Sequence, residues 1–535
     1  MKKKIFIIMF LILSLIIVSC TNKSKEVNSS DDKKSKVATA DIRTEDNVLN
    51  VGSIKDFKTS KEGHSLIFDS LTRIDHLYKP IPWLVTKWEI SKDYMEYDLF
   101  YNTNVKFHDG TMLTGDALKY NIETGGTINY CSYSYVLDNV EVVEDGHLKV
   151  KLNAPYLYLL QDLSKIPAVP KDSLDDKGNK TSLVGTGPFK FVETTQAEIS
   201  ILKKNDDYWD KNYKTDIDTI NWHAIADEQT RKLALESGQI DVLGLTEHYI
   251  SLPYSTIYDF KKNKNYNIVK ESDENYTSVA SINSNWKTGK MSDINLRKAI
   301  LTMFDREELV KTVLFGIPNP CGYLYNPKFE DGPDENSELK YDLNMSKKYL
   351  EKAGYKVGNE STPTVDKDGK VLDMKFIIDD EEYQKDVSIY LKSQAAKLGV
   401  NLNIEVLSGA KRIETIKSGN FDLIMSHPWF VPLIDSLGYM GLSDDYSDYG
   451  LGYGINQEMK DAGKNFIEAT DPSKIKESAQ DIWKIQQDEA VSTPLFSDIR
   501  YIIHNKKFEG FKFDGNVFQI DLNGVRRVED ESSLD

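Results

Sequence analysis

Cysteine is nearly absent from this chain. Its 535 residues hold three, Cys20, Cys131 and Cys321, too few and too widely spaced for a framework of bridges. A bond between the last two would require the fold to bring their α-carbons within about 7 Å, so both are read as free, small apolar residues. Positive charge is also in deficit: 67 Lys and Arg face 84 Asp and Glu, a formal balance of −17. A surface that follows a phosphate backbone needs the opposite sign, which excludes nucleic acid as a partner. After the extreme N-terminus no apolar run approaches the roughly 18 residues of a membrane helix. Catalytic signatures are missing too: no Gly-x-Ser-x-Gly elbow, no His-Glu-x-x-His, and no cysteine beside a plausible base. Gly185 and Gly187 stand two apart with no Lys-Ser pair after them, so "VGTGP" is no phosphate loop. The eight histidines form no i, i+4 pair, and transition metals want clustered imidazoles, thiolates or carboxylates. A bare metal ion held by protein groups alone is therefore not expected.

The N-terminus has a definite layout. Lys2-Lys3-Lys4 precedes an apolar run from Ile5 to Ser19 broken only by Ser14, the pattern of a secretory signal. Its end, Ile17-Val18-Ser19-Cys20, resembles the lipobox of bacterial lipoproteins, which implies cleavage before Cys20 and lipid on that cysteine; the alternative is a chance cysteine in an uncleaved signal. "TNKSKEVNSSDDKKSK" follows, too polar to repay its ordering entropy. We expect a signal peptide at 1–19 and a lipidated cysteine with a flexible tether at 20–40, giving an extracytoplasmic protein anchored at the outer face of the cell membrane. Losing the three lysines would leave 64 basic against 84 acidic residues, a mature balance of −20. The remainder exceeds what one core supports, so two or three lobes are expected. Pro and Gly are scattered without a linker, which favours lobes that share strands.

Along the mature chain, "NVLNVGSI" and "SLIFDSLTRID" read as strands, and Pro80 and Pro82 preclude helix in "KPIPWLVTKWEIS". In "YMEYDLFYNTNVKFHDGTMLTGDALKYNIETGG", alternation predicts a strand to Phe107, Asp109-Gly110 a turn, and Thr114 the N-cap of a helix. His108 then sits at a strand end, as a ligand or as a hydrogen-bonded turn residue. "GTGPFKF" opens a hairpin. "LRKAILTMFDREELVKTVLFG" has helical spacing as far as Gly316, and "YDLNMSKKYLEKAGY" is an amphipathic helix from near Asp342 to Gly354. Between Met374 and Met425 the order is strand, helix, strand, helix, strand ("MKFIID", "EEYQKDVSIYLKSQAAKLG", "NLNIEVL", "AKRIETIKSG", "FDLIMS"), predicting a mainly parallel open sheet. Ligands of such sheets lie beyond the carboxyl ends of strands, where "SHPWFVP" follows.

Five of these segments, "VKFHDGTMLTGDALKYNI", "GTGPFKF" with "NDDYWDKN", "LRKAILTMFDREELVKTVLFG", "YDLNMSKKYLEKAGY" and "FDLIMSHPWF", together resemble the family 5 extracellular solute-binding proteins. These are the peptide, dipeptide and nickel receptors of bacterial ABC importers. The resemblance implies an α/β, two-lobed periplasmic-binding-protein-like fold of the class II type, closing like a clam shell about a hinge. It implies lobe I at 41–70, 185–283 and 491–535, an extra subdomain at 71–184 inserted in it, and lobe II at 284–490. The turns His108-Asp109-Gly110 and Gly185-Thr186-Gly187 would belong to the scaffold.

It also bears on the solute. Peptide-binding members typically carry, three residues past the strand-end tryptophan, an aspartate for the ligand's α-ammonium group. Here that position is Pro432, and Asp435 replaces the aspartate only if the loop takes a different path. Nickel-type members tend to show tryptophan, a small residue, another residue and proline, with a histidine shortly before. His427, Trp429 and Pro432 lean that way, while Phe430 is bulky and Ser426 stands where the imidazole is expected. Tyr130, Tyr133 and Tyr135 of "NYCSYSYVL" fall where nickel-type receptors place an arginine and a tryptophan; an alternating aromatic strand fits stacking on a ligand or plain sheet packing equally. The chelator-binding arginine has no counterpart in "LSKIPAVP", which offers only Lys165; Lys411 and Arg412 are the substitutes, or else solvated surface. The expected ligand-binding residues are Tyr130, Tyr133, Arg412, His427, Trp429 and Asp435, with His427 completing the coordination of a metal that arrives as a chelate.

The expectation is a monomeric, non-enzymatic lipoprotein without cofactors. It would carry a nickel or other transition-metal chelate to ABC permease subunits with cytoplasmic ATPases. The alternatives are an oligopeptide or dipeptide receptor, a peptide-sensing receptor on the same fold, and a secreted hydrolase.

Overall fold

Hydrophobic alternation and buried β-branched runs build three larger sheets among the described residues, beside two two-stranded ones. The structure is a computed structural model and describes residues 47–60, 63–129, 131–174, 180–196, 198–245, 252–272, 278–285, 289–329, 331–427, 457–513 and 519–528. In the first sheet the strands run in the order Tyr266–Lys270, Tyr501–Asn505, Val242–Leu243, Val48–Ser53, Thr219–Ala224, Ile199–Lys204, Phe189–Thr194. Val48–Ser53 is parallel to both of its neighbours, while the remaining pairs are antiparallel. "TINWHA" is buried along nearly its whole length, as an interior strand covered on both faces must be.

The second sheet runs Asn319–Pro320, Ser492–Ser497, Val279–Ser284, Leu423–Ser426, Asp373–Ile378, Asn401–Val406. Asp373–Ile378 is parallel to both Asn401–Val406 and Leu423–Ser426, with helices Glu382–Ala396 and Gly409–Ser418 as the crossovers. The strand–helix alternation read from the sequence is thus present. Its antiparallel extension through Val279–Ser284 is long-range and left no local signal. Val279–Ser284, which spans the expected limit at 283/284, and Ser492–Ser497, just past the expected limit at 490/491, are both bonded into the second sheet. The chain therefore crosses between the sheets from Lys270 to Val279 and from Ser497 to Tyr501. At these crossings Glu271 and Arg500 form a buried ion pair (Nη2–Oε1 2.5 Å, Nε–Oε2 3.0 Å), and Glu271 N–H donates to Arg500 O at 3.0 Å.

A four-stranded antiparallel sheet (Val85–Ile90, Glu96–Tyr101, His147–Leu152, Leu137–Glu144) forms within 71–184. Its core is continuous with Tyr325, Phe329, Phe466 and Trp483. Two expectations fail here. The strand expected to reach Phe107 stops at Tyr101, because Asn102 accepts from Asn104 N–H and turns the chain. "CSYSY" is a 3₁₀ turn over Ser132–Tyr135, not a strand. Thr114 does cap helix Gly115–Ile128, accepting from Ala117 N–H. The expected helix ending at Gly316 is two helices, Ile294–Met303 and Arg306–Thr312, split where buried Phe304 is extended and Asp305 caps the second by accepting from Glu308 N–H.

His108 ties two turns together. Its backbone N–H donates to Gly185 O at 2.9 Å, its Nδ1 accepts from Gly185 N–H at 3.3 Å, and its Nε2–H donates to Gly187 O at 3.0 Å. Nearby, one carboxylate gathers the first sheet and the inserted segment. Asp69, buried, accepts from Trp83 Nε1, Tyr208 Oη, Trp209 Nε1 and Thr186 Oγ1 at 2.8–3.0 Å.

Candidate functional site

Three parallel strands end along one edge of the second sheet, and the side chains just beyond them converge. Leu423–Ser426 is buried throughout, which fixes its register. Ser426, where an imidazole had been expected, points into the sheet's polar interior and accepts from Asn283 Nδ2 at 2.8 Å. Asn283 Oδ1 in turn accepts from Ser492 Oγ. The next residue, His427, emerges at the strand end between Tyr383 and Phe496, edge-on to both (ring centroids 5.9 and 5.8 Å). Tyr254 packs edge-on against Tyr383 and Phe496 and donates to Asp498 Oδ1 at 3.1 Å.

Tyr383 and its neighbours come from the N-terminus of helix Glu382–Ala396, directly after the strand Asp373–Ile378. Tyr383 Oη lies 3.2 Å from His427 Nδ1. Gln384 Nε2 donates to Tyr383 Oη at 3.1 Å and to Glu381 Oε2 at 3.3 Å, while Gln384 Oε1 accepts from Asp379 N–H at 2.8 Å. Arg412 pairs with Asp379 (Nε–Oδ2 3.2 Å) and donates through Nη2 to Met425 O at 3.1 Å. This arginine thus braces the turn beside the histidine.

Enclosure among apolar rings pushes the His427 imidazole down to about 3, so the ring is neutral at physiological pH rather than titrating near 6.5 as an exposed histidine would. Desolvation raises the Glu381 carboxyl, with Asp379 adding to the effect and hydrogen bonds from Gln384 and Tyr383 and the charge of Arg412 opposing it. The arrangement offers a neutral imidazole, an aromatic wall and a braced guanidinium, the equipment for recognising a ligand. Among the described residues, no group of three or more His, Cys, Asp or Glu is placed to hold a metal ion.

The expected site residues fare unequally. His427 and Arg412 are brought close together. Tyr133 is a correction: it is fully buried in the core of the inserted segment, with Oη donating to Ile122 O at 2.6 Å, so it presents no face to a ligand. Tyr135 is its opposite, 87 % exposed. Cys20, Tyr130, Trp429, Pro432 and Asp435 lie outside the described residues. Sequence reading missed Tyr383, Gln384, Glu381 and Phe496. The usable signal was "IIDDEEYQ", a strand running straight into a helix at the carboxyl edge where ligands gather.

Residues 79–449 match the model of the bacterial extracellular solute-binding proteins, family 5. The chain belongs to that family. This family 5 protein is 24 % identical over 554 residues to the oligopeptide-binding protein AppA of Bacillus subtilis, covering 96 % of each chain. It is 23 % identical over 383 residues to the nickel-binding periplasmic protein of Escherichia coli, covering 69 % of this chain and 71 % of that one. In fold it resembles NikA from Brucella suis, solved with Fe(III)-EDTA, with a TM-score of 0.80 at 20 % identity over 90 % of this chain and all of that one. The expected two-lobed fold is thereby established. Among the described residues no helix is long and apolar enough to cross a membrane.

Proposed function

We propose that this family 5 protein is the lipid-anchored, non-enzymatic substrate-binding component of an ABC importer, closing about its hinge on a nickel or other transition-metal chelate. The observation that carries this reading of the solute is His427. It stands at the carboxyl end of a strand, tethered through Nδ1 to Tyr383 and kept neutral by its surroundings, the state in which an imidazole coordinates a metal. Pro432 supports it, standing in the sequence where an amine-capturing aspartate would serve a peptide. Trp429 adds a flat apolar wall, Arg412 the positive charge that a carboxylated chelator needs, and Tyr130 and Asp435 complete the proposed contacts. A second reading, an oligopeptide or dipeptide receptor, is favoured by the end-to-end similarity to an oligopeptide-binding relative.

Calorimetric titration with nickel–histidine complexes and with mixed short peptides separates the two. For a chelate receptor, His427→Ala abolishes or strongly weakens uptake of the metal complex. Trp429→Ala costs about 1–3 kcal/mol with either solute, because stacking area does not depend on metal. With the imidazole held far below 6.5, mild acidification does not weaken the histidine's contribution. Tight peptide binding that ignores His427, with no uptake of the complex, decides for the peptide receptor.

A further inference from the structure

Tyr78 is buried where its position in the chain would expose it. Arg73–Ile74 and Pro80–Ile81 pair as a two-stranded hairpin. Asp75 closes the tip: its N–H donates to Lys79 O at 2.9 Å, and its Oδ1 accepts from the N–H groups of Leu77 and Lys79 at 2.8 and 3.0 Å. Tyr78 sits in that tip with φ at 60°, a left-handed backbone that a bulky side chain adopts only under strain. Hairpin tips are ordinarily wet, yet Tyr78 is 7 % exposed. Phe329 meets it edge-on, ring centroids 5.0 Å apart. Phe329 in turn meets Tyr325 at 5.2 Å, and Tyr325 stacks on Trp483 at 5.1 Å. Trp483 Nε1 donates to Asp331 O at 2.8 Å and Gln480 Nε2 to Gly332 O at 2.6 Å, which clamps the turn carrying Phe329 to helix Pro472–Asp488. This aromatic block travels with the second sheet, because Asn319–Pro320 precedes it and Ser492–Ser497 follows its helix, both of them strands of that sheet. The hairpin is attached elsewhere. Its segment, 71–184, leaves the chain after Val48–Ser53 and returns to it at Phe189–Thr194, two strands of the first sheet, and Asp69 and His108 fasten it there. A second ring contact spans the same junction, Tyr158 stacked on Phe466 of helix Gln457–Glu468 at 5.8 Å.

We infer that the hairpin Arg73–Ile81 is a latch between the lobes: Tyr78 at its tip, seconded by Tyr158, docks on Phe329 and Phe466 and holds the closed arrangement. The two bodies it joins are otherwise connected through the crossings at Lys270 to Val279 and Ser497 to Tyr501, so bending there makes or breaks these ring contacts. Strain at Tyr78 suits a device of this kind, since the left-handed backbone is compensated while the ring is docked and relaxes when it leaves. A lone two-stranded hairpin is marginally stable in water, so the tip has little to hold it in place once undocked. The apparent affinity for a solute scales with the fraction of molecules already in the binding-competent arrangement. The latch therefore sets how tightly solute is held without touching it. This inference rests on the hinge closure of the proposed function and not on the choice of solute.

The test uses the full chain and three variants. Tyr78→Gly removes the ring and leaves a backbone conformation that glycine adopts freely, so the tip itself does not endanger folding. Phe329→Ala removes the other half of the contact, and the double variant measures their coupling. In small-angle scattering without solute, each single variant should have a larger radius of gyration than wild type, and the double variant should be no larger than the greater of the two. Calorimetric titration with nickel–histidine complexes and with mixed short peptides gives the second readout: whichever probe the wild type takes up should bind about 3–30-fold more weakly to each single variant. The two losses should not multiply in the double variant, because both remove one contact. An unchanged radius in Tyr78→Gly overturns the latch, and so do losses that multiply. An expanded Tyr78→Gly in a protein that takes up neither probe leaves the latch standing and sinks the proposed solutes; uptake of a nickel complex with radius and affinity unchanged in both single variants does the reverse.

Discussion

At the residue scale, enclosure governs the histidines more than any partner does. Desolvation is the largest influence on His427, lowered to about 3, and on His108 and His64, each lowered to about 4. The unfolded chain holds the same rings near 6.5, so between 6.5 and about 4 the unfolded state binds protons that the folded state refuses. Stability then falls as pH drops through that window, on the order of 1–3 kcal/mol for each well-enclosed ring once partial exposure is allowed for. Urea midpoints measured in steps from about pH 7 to 4.5 should decline steadily. His108→Gln keeps an N–H donor for Gly187 O and cannot protonate, so its decline should be shallower than wild type; parallel curves would show that this ring does not contribute.

Elements in this protein are joined by close approaches that leave no room for side chains. A β-carbon at Gly185 would lie 1.9 Å from Ile67 O, and one at Gly187 would lie 2.7 Å from the Ile67 carbonyl carbon. The backbone there is already engaged, since Gly187 N–H donates to Ile67 O at 3.0 Å and His108 laces both glycines to the Asp109-Gly110 turn. Gly185→Ala must therefore separate the two backbones or forfeit those bonds. We expect a loss of about 3 kcal/mol or more, read as a lower melting temperature and a reduced soluble yield, and near-wild-type melting would refute the close approach. The break between Ile294–Met303 and Arg306–Thr312 teaches a related point. Helical spacing runs through it, but burying Phe304 in extended backbone outweighs one more turn of helix, and Asp305 restores a cap immediately afterwards.

For the whole molecule, the two crossings between sheets decide what can bend. Glu271 and Arg500 face one another there, out of water, with the guanidinium also lying over the Phe513 ring at 4.7 Å. Removing one member of such a pair strands a buried charge, so Glu271→Gln should cost about 3–5 kcal/mol in denaturant unfolding. Saturating solute should contract the wild-type radius of gyration in small-angle scattering, and an unchanged radius would argue against hinge closure. Attachment is tested separately. Cys20→Ala should abolish incorporation of labelled palmitate while leaving solute affinity intact; palmitate still entering the variant would disprove the anchor at Cys20.

The order and type of most elements were written locally. Thr114, Asp305 and Asp342 are capping residues whose chemistry is complete within one turn, and the alternation from Met374 to Met425 specified strands and crossovers without help from elsewhere. The family followed from five short segments in sequence order, each dictated by local backbone needs. The sequence also marked the position of His427, at the end of a strand at the carboxyl edge. Tertiary structure alone decided the rest. Pairing of Val279–Ser284 and Ser492–Ser497 into the second sheet depends on partners more than a hundred residues away, so no periodicity could place the crossings. Tyr133 and Tyr135 are two residues apart with the same chemistry, and only packing sent one into the core and the other to solvent. The state of His427 likewise depends on Tyr383 and Phe496, residues 44 and 69 positions away. Desolvation and hydrogen-bond direction are properties of assembled neighbours, and no stretch of chain contains them by itself.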